Sequence, residues 1–233
     1  MSLTRRGALR ASLVGGMGAA FATSVQAAPA LADADPLTRG PDEALELLRA
    51  GNQRWRAVAS EHPNEGGDRR EELVEGQNPF ALVLGCADSR VPPELVFDRG
   101  LGDLFTVRSA GQVLDLSVMG SLVYAVEHLE VPLIVVMGHA TCGAVDAAVE
   151  AHHTGELPDG HVGRLVEEIL PVVESVPEDG DEDAFLDACV RANADHIAGL
   201  LRQDEELREF VDGGSLEIVA AHYDLATSHV DWR

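Results

Sequence analysis

The sequence predicts an α/β domain built around a mainly parallel β-sheet flanked by helices. Three observations carry this reading. Short apolar runs such as Leu82-Val83-Leu84 and Leu133-Ile134-Val135-Val136 have the pattern of strands buried on both faces. Between them lie segments with apolar residues three and four apart, the pattern of amphipathic helices. Hydrophobic residues make up 45% of the 233-residue chain, enough for a sizeable core, and aromatics only 4%, which leaves that core to Val, Leu, Ile and Ala.

The first residues read as an address. Arg5 and Arg6 form a positive start, a small-residue apolar stretch runs from Ala11 to about Ala22, and Val25-Gln26-Ala27 offers small residues to a signal peptidase. The Thr4-Arg5-Arg6 opening, with Leu9 after it, is similar to a twin-arginine export signal. Residues 1–33 are therefore expected to be an export signal, cut after Ala27, and residues 34–233 a single domain exported to the periplasm or beyond. The apolar stretch is shorter than the roughly 20 residues that span a bilayer, and no other segment is apolar enough to do so.

In the mature chain, Pro41 to Val58 reads as an amphipathic helix that opens on Pro41, Asp42 and Glu43, with Gly51 as a point of bending or splitting. Pro63 to Gly67 reads as a loop. Strands are expected at Phe80–Gly85, Asp103–Arg108, Pro132–Gly138 and Leu216–Ala221. Helices are expected at Ser117–Leu129, at Cys142–His152 and over the acidic stretch from Val162 to Phe210, broken near Pro177–Asp181. Two of the strands end at chemically suggestive residues, Cys86 and His139. Ligands in α/β folds gather beyond the carboxyl ends of strands.

The formal charge is −23, and every basic side chain is Arg, with no Lys in the chain. Such a surface repels the phosphates of nucleic acids and anionic lipids, so nucleic-acid binding is not expected. A salt-rich habitat and an Arg-biased genome explain the composition equally well.

Three cysteines are too few for a disulfide framework. Two fall in clusters, Cys86-Ala87-Asp88-Ser89-Arg90 and His139-Ala140-Thr141-Cys142-Gly143. Thiolate and imidazole are preferred zinc ligands, and three protein ligands with one open position mark a catalytic rather than a structural site. A Cys86–Cys142 disulfide is the alternative, but it leaves His139 without a role. The third cysteine, Cys189, lies mid-pattern in a helix and reads as a core residue. Gly143 reads as serving either close backbone approach or helix packing.

In Cys86 to Val91 and His139 to Val145 the chain resembles the β-class carbonic anhydrases. The likeness extends through Pro93–Asp98, Gly102–Arg108, Gly120–Val126, Gly51–Trp55 and His222–Thr227, nearly the whole mature chain. The resemblance implies one Zn2+ per subunit on Cys86, His139 and Cys142. It implies carbon dioxide and bicarbonate as substrates, with zinc-activated hydroxide attacking carbon dioxide. It assigns Asp88 and Arg90 as a catalytic pair that orients the nucleophile, or that gates the fourth zinc position with Asp88 as a conditional metal ligand. It also implies a homodimer or larger homo-oligomer with Leu48 and Trp55 at the interface, and an apolar pocket drawn from Val91, Phe105 or Tyr124, with Gly111 in its wall.

Ser109-Ala110-Gly111-Gln112, His222 and Ser228 depart from common family patterns. His222 reads as a surface or interface residue rather than a proton shuttle. Two other functions fit the same fold: a zinc-dependent sensor without turnover, and a hydrolase of a related heterocumulene such as carbon disulfide.

Overall fold

The structure is a computed structural model that describes residues 40–233. The expected export signal lies outside the described residues. Five strands form one sheet: β1 (Ala81–Gly85), β2 (Leu104–Arg108), β3 (Leu133–His139), β4 (Glu217–Tyr223) and β5 (Val230–Trp232). Their order is β2-β1-β3-β4-β5; β1 to β4 run parallel and β5 antiparallel. Eight α-helices accompany them: α1 (Pro41–Arg56), α2 (Gly67–Glu72), α3 (Pro93–Val96), α4 (Leu116–Leu129), α5 (Gly143–Thr154), α6 (Gly160–Val173), α7 (Glu182–Gln203) and α8 (Arg208–Asp212). Among the described residues no helix is long and apolar enough to cross a membrane.

Side chains alternate across a strand, so the apolar runs feed two cores. Val83, Val135, Met137 and Val219 pack with α1, α5, α6 and the first half of α7. Leu82, Leu84, Ile134, Val136 and Ile218 pack with α4 and the second half of α7. Covering both faces removes the need for polar alternation, which is why these strands read as unbroken apolar stretches.

The predicted elements are present, with shifted ends. The acidic stretch divides into α6, α7 and α8; Asp181 starts α7 by accepting the Ala184 N–H on Oδ1 at 2.9 Å. Three short elements, α2, α3 and β5, have too few residues to show a period. Gly51 neither bends nor splits α1, which is continuous. Instead Gly51 lies against Phe97, and a Cβ there would overlap the Phe97 carbonyl oxygen. The position is small because α1 approaches backbone closely. The next residue, Asn52, is buried with its side chain satisfied. Its Nδ2 donates to the Val96 and Ser228 carbonyls at 3.1 and 3.0 Å, and its Oδ1 accepts the Val230 N–H at 3.1 Å. Leu48 is fully buried in the chain's own core, which corrects its assignment to an interface. Trp55 is half-buried and donates from Nε1 to the Tyr223 hydroxyl at 3.0 Å.

Asp98 ties α1 to the loop after it. Its buried carboxylate accepts from Arg54 Nε and from the N–H groups of Glu61 and His62, the last two at 3.1 Å. Burial pushes this carboxyl up, but Arg54 and the two amides outweigh burial and hold it below its ordinary value. A depressed carboxyl stabilises the fold above its unfolded pKa of about 3.9, and that stability is lost as pH falls through the folded value. Asp98→Ala leaves Arg54 and two amides without their partner and is expected to cost about 3 kcal/mol at pH 7. Urea unfolding at pH 7 and pH 3 checks this: the gap to wild type should shrink at pH 3.

Candidate metal centre

The sheet order places the site. From β1 the chain passes to β2 on one side and later to β3 on the other, so the carboxyl ends of β1 and β3 flank a topological switch point. Cys86 is the residue after β1, and His139 is the last residue of β3. A turn through Ala140 and Thr141 then brings Cys142 to the N-cap of α5. Thr141 takes a φ of 53°, a left-handed backbone that a β-branched residue adopts only under local strain. That turn is held by the Ala140 N–H donating to the Tyr223 carbonyl at 2.9 Å.

Cys86, His139 and Cys142 are all buried, and one ligand atom from each lies within 4.8 Å of the others. The Cys86 and Cys142 sulfurs are 3.9 Å apart and all three cysteines of the chain are free. The disulfide alternative is thereby set aside, since an S–S bond measures about 2.05 Å. His139 Nδ1 is 2.9 Å from the Ala140 carbonyl, which can only accept. This fixes the hydrogen on Nδ1 and leaves the Nε2 lone pair available. Nε2 is buried and has no hydrogen-bond partner.

These features fit a zinc ion. Zn–S bonds near 2.3 Å in a tetrahedral site put two sulfurs roughly 3.8 Å apart, close to the separation seen. An orphaned imidazole nitrogen buried beside two thiol groups is costly unless something binds it. The backbone is already arranged for anionic sulfur: Gly111 and Asp88 N–H groups face Cys86, and the Val145 and Ala144 N–H groups at the start of α5 face Cys142. Cys86 is lowered to about 4, chiefly by the hydrogen bond from the Cys142 thiol, against the opposing effect of burial. The same contact, together with burial, pushes Cys142 upward. The pair therefore shares one proton, which a dication displaces on binding.

Asp88 is adjacent but held apart. Its Oδ1 accepts from the Arg90 backbone N–H at 2.8 Å and from Arg90 Nε at 3.0 Å, and its Oδ2 accepts from Arg90 Nη2 at 2.7 Å. The Arg90 side chain, above all, lowers Asp88 to about 2. Asp88 Oδ2 lies 3.9 Å from His139 Nε2, outside the group of three donors.

A family model described as carbonic anhydrase matches residues 81–230. This chain belongs to the β-class carbonic anhydrases. Carbonic anhydrase 2 of Mycobacterium tuberculosis is 45% identical over 187 residues, covering 79% of this chain and 89% of that protein. The carbonic anhydrase of Mycolicibacterium smegmatis is 41% identical over 197 residues, covering 83% and 93%. The solved β-carbonic anhydrase of Coccomyxa, in complex with acetazolamide, superposes with a TM-score of 0.65 at 25% identity, covering 86% of each chain. The expected fold, enzyme class and family all stand on these likenesses.

Within this carbonic anhydrase, several residues play parts that the sequence did not reveal. Arg108, at the end of β2, donates from Nε to the Cys86 carbonyl at 2.8 Å and from Nη2 to the Asp88 carbonyl at 2.5 Å. It pins the loop that carries both groups; its position at a strand's carboxyl end was the only available signal. A Cβ at Gly143 meets no protein atom within 4 Å, so helix packing does not require glycine there.

Val91 is buried in the core that holds the donor cysteines. Phe105 instead packs against the opposite core, and Tyr124 is half-exposed beside it with ring centroids 6.4 Å apart. His222 is a correction: it is buried within the chain, not at its surface. Its Nε2 lies 2.9 Å from Asp187 Oδ1 without hydrogen-bond alignment, and burial, above all, lowers its pKa. The β4 backbone turned inward a position that sequence reasoning placed outside.

Proposed function

We propose that this enzyme carries out zinc-dependent, reversible hydration of carbon dioxide to bicarbonate and a proton, with Cys86, His139 and Cys142 holding one zinc ion per subunit. The observation that carries the reading is the buried donor set whose imidazole Nε2 has no protein partner. Zinc bound there supplies a Lewis acid that makes water nucleophilic near neutral pH.

The chain's own residues do the rest. The Ala140 carbonyl fixes the His139 tautomer, and the amides facing the two sulfurs favour thiolates over thiols. Asp88, held at about 2 chiefly by Arg90, is an ionised acceptor throughout the physiological range. It can accept a hydrogen bond from the attacking water and orient its lone pair toward the substrate carbon. Arg90 decides whether Asp88 stays in that role or turns inward to join the donors. The intact Asp88–Arg90 pair favours turnover over a sensor without activity.

Stopped-flow carbon dioxide hydration on zinc-replete protein tests this reading. The expected result is one zinc per chain and hydration well above buffer, suppressed by a sulfonamide such as acetazolamide. Rates equal to buffer at both neutral and alkaline pH overturn it, and a competition assay with carbon disulfide separates the heterocumulene alternative.

The proposal extends to assembly and location. A homodimer or larger homo-oligomer is supported by α4, which leaves Leu116 93% and Tyr124 47% exposed beside the edge strand β2. Light scattering should give at least twice the chain mass, falling in Leu116→Glu. Residues 1–33 are proposed to export residues 34–233 by the twin-arginine route. Amino-terminal sequencing of protein recovered outside the cytoplasm checks cleavage after Ala27, and loss of export in Arg5→Lys/Arg6→Lys checks the route.

A further inference from the structure

We propose that Asn193 is a positioning residue of the metal site, acting through Gly111 on the sulfur of Cys86. The inference rests on the reading that Cys86 is a metal ligand.

Asn193 lies in the middle of α7, where the helix passes from one core to the other, between Cys189 and Val190 on one side and Ala194 and Ile197 on the other. It is 2% exposed. Asn is a poor helix former, and a buried amide is costly unless it finds a partner. The Asn193 partner is distant in sequence: Nδ2 donates to the Gly111 carbonyl at 2.8 Å, across 82 positions.

Gly111 is itself tightly placed. Its φ is 63°, and a Cβ would stand 2.7 Å from Ile169 Cδ1 of α6 and 3.2 Å from Ala144 Cβ of α5. The residue is thus wedged against two helices while α7 holds its carbonyl. The segment that carries Gly111 brackets Cys86: the Ser109 N–H donates to the Gly85 carbonyl and the Ser109 carbonyl accepts the Ala87 N–H, both at 3.2 Å, which brings the Gly111 N–H to the Cys86 side. Ala144, which limits Gly111 sterically, also turns its own N–H toward Cys142. One small cluster therefore aims amides at both sulfurs, and Asn193 is its polar anchor. Amide hydrogen bonds to a thiolate reduce its electron donation to a metal and hold its direction.

Cobalt-substituted protein tests this without recourse to activity, through the sulfur-to-cobalt charge-transfer band and the rate at which a chelator strips the metal. Asn193→Ala is expected to shift the band and to speed metal loss by about tenfold to a hundredfold, the range for partners that orient metal ligands. Cys189→Ala, a buried truncation one turn earlier in α7, is the control; it should lower thermal stability while leaving band and metal loss as in wild type. If Asn193→Ala is too unstable to purify, Asn193→Ser removes the same reach with less lost volume and carries the same expectation. An unchanged band and stripping rate in the Asn193 variants overturns the proposal, as does an equal change in Cys189→Ala. A wild-type protein with no charge-transfer band instead overturns the assignment of Cys86 as a ligand, so the two failures are distinct.

Discussion

His139→Ala and Cys142→Ser should each abolish stoichiometric zinc binding and bring carbon dioxide hydration down to the buffer rate, a loss of at least about a thousandfold given the size of enzymatic accelerations. The cause lies in the donor count. Three buried ligands leave one position for chemistry, and removing one leaves two donors in an apolar surround that cannot hold a dication against water. Cys142→Ser also keeps the geometry of the α5 start, so lost zinc there reports on the sulfur rather than on the fold. Metal analysis of the purified variants together with stopped-flow rates provides the measurement. Cys189→Ser should keep its zinc, because Cys189 is buried in α7 apart from the donor group. Full zinc content and activity in Cys142→Ser would sink the assignment.

Arg90→Ala should keep one zinc per chain and yet lose about a hundredfold in hydration rate, the scale of a correctly placed proton acceptor. Arg90 is half-exposed, and as a surface salt bridge alone its contact with Asp88 would matter little. Its effect is positional: a backbone amide and two side-chain nitrogens face both carboxylate oxygens away from the donor group. Without the side chain, Asp88 is free to turn toward the metal, its Oδ2 already 3.9 Å from His139 Nε2.

Protonation does not explain such a loss. With Arg90 present Asp88 is held at about 2, and without it the carboxyl returns toward about 3.9, so it is ionised above pH 5 in both proteins. The rate deficit should therefore persist across pH 6–9. A crystal structure of zinc-loaded Arg90→Ala should show an Asp88 carboxylate oxygen in place of solvent at the fourth position. A structure of Arg90→Ala with Asp88 still remote from the metal would count against the gating role.

The Cys86-to-Arg90 and His139-to-Gly143 segments could be recognised from sequence because metal ligation depends on residue type and close spacing. The strands before them could be recognised because burial on both faces demands unbroken apolar runs. Arg108 and Asn193 could not, since each acts on backbone atoms far along the chain, and a hydrogen bond to a carbonyl leaves no mark at the accepting residue. The role of Gly51 was missed for a related reason: a glycine within a helix has the same appearance whether it marks a bend or a close approach, and only the position of Phe97 distinguishes them.

By itself the sequence pointed to the fold class and to the Cys86, His139 and Cys142 group, and its resemblance to a known family pointed to the Asp88–Arg90 pair. The fold class and the three-residue group rest on local pattern: the period of apolar residues and the chemistry of neighbouring side chains. The tertiary structure alone decided that the two clusters meet at the switch point between β1 and β3, that His139 presents Nε2 rather than Nδ1, and that Asp88 faces Arg90 rather than the donors. It also decided that His222 lies inside. Each of these depends on which strands become neighbours and on which way a side chain turns once packed, and both are set by contacts between residues distant in the chain.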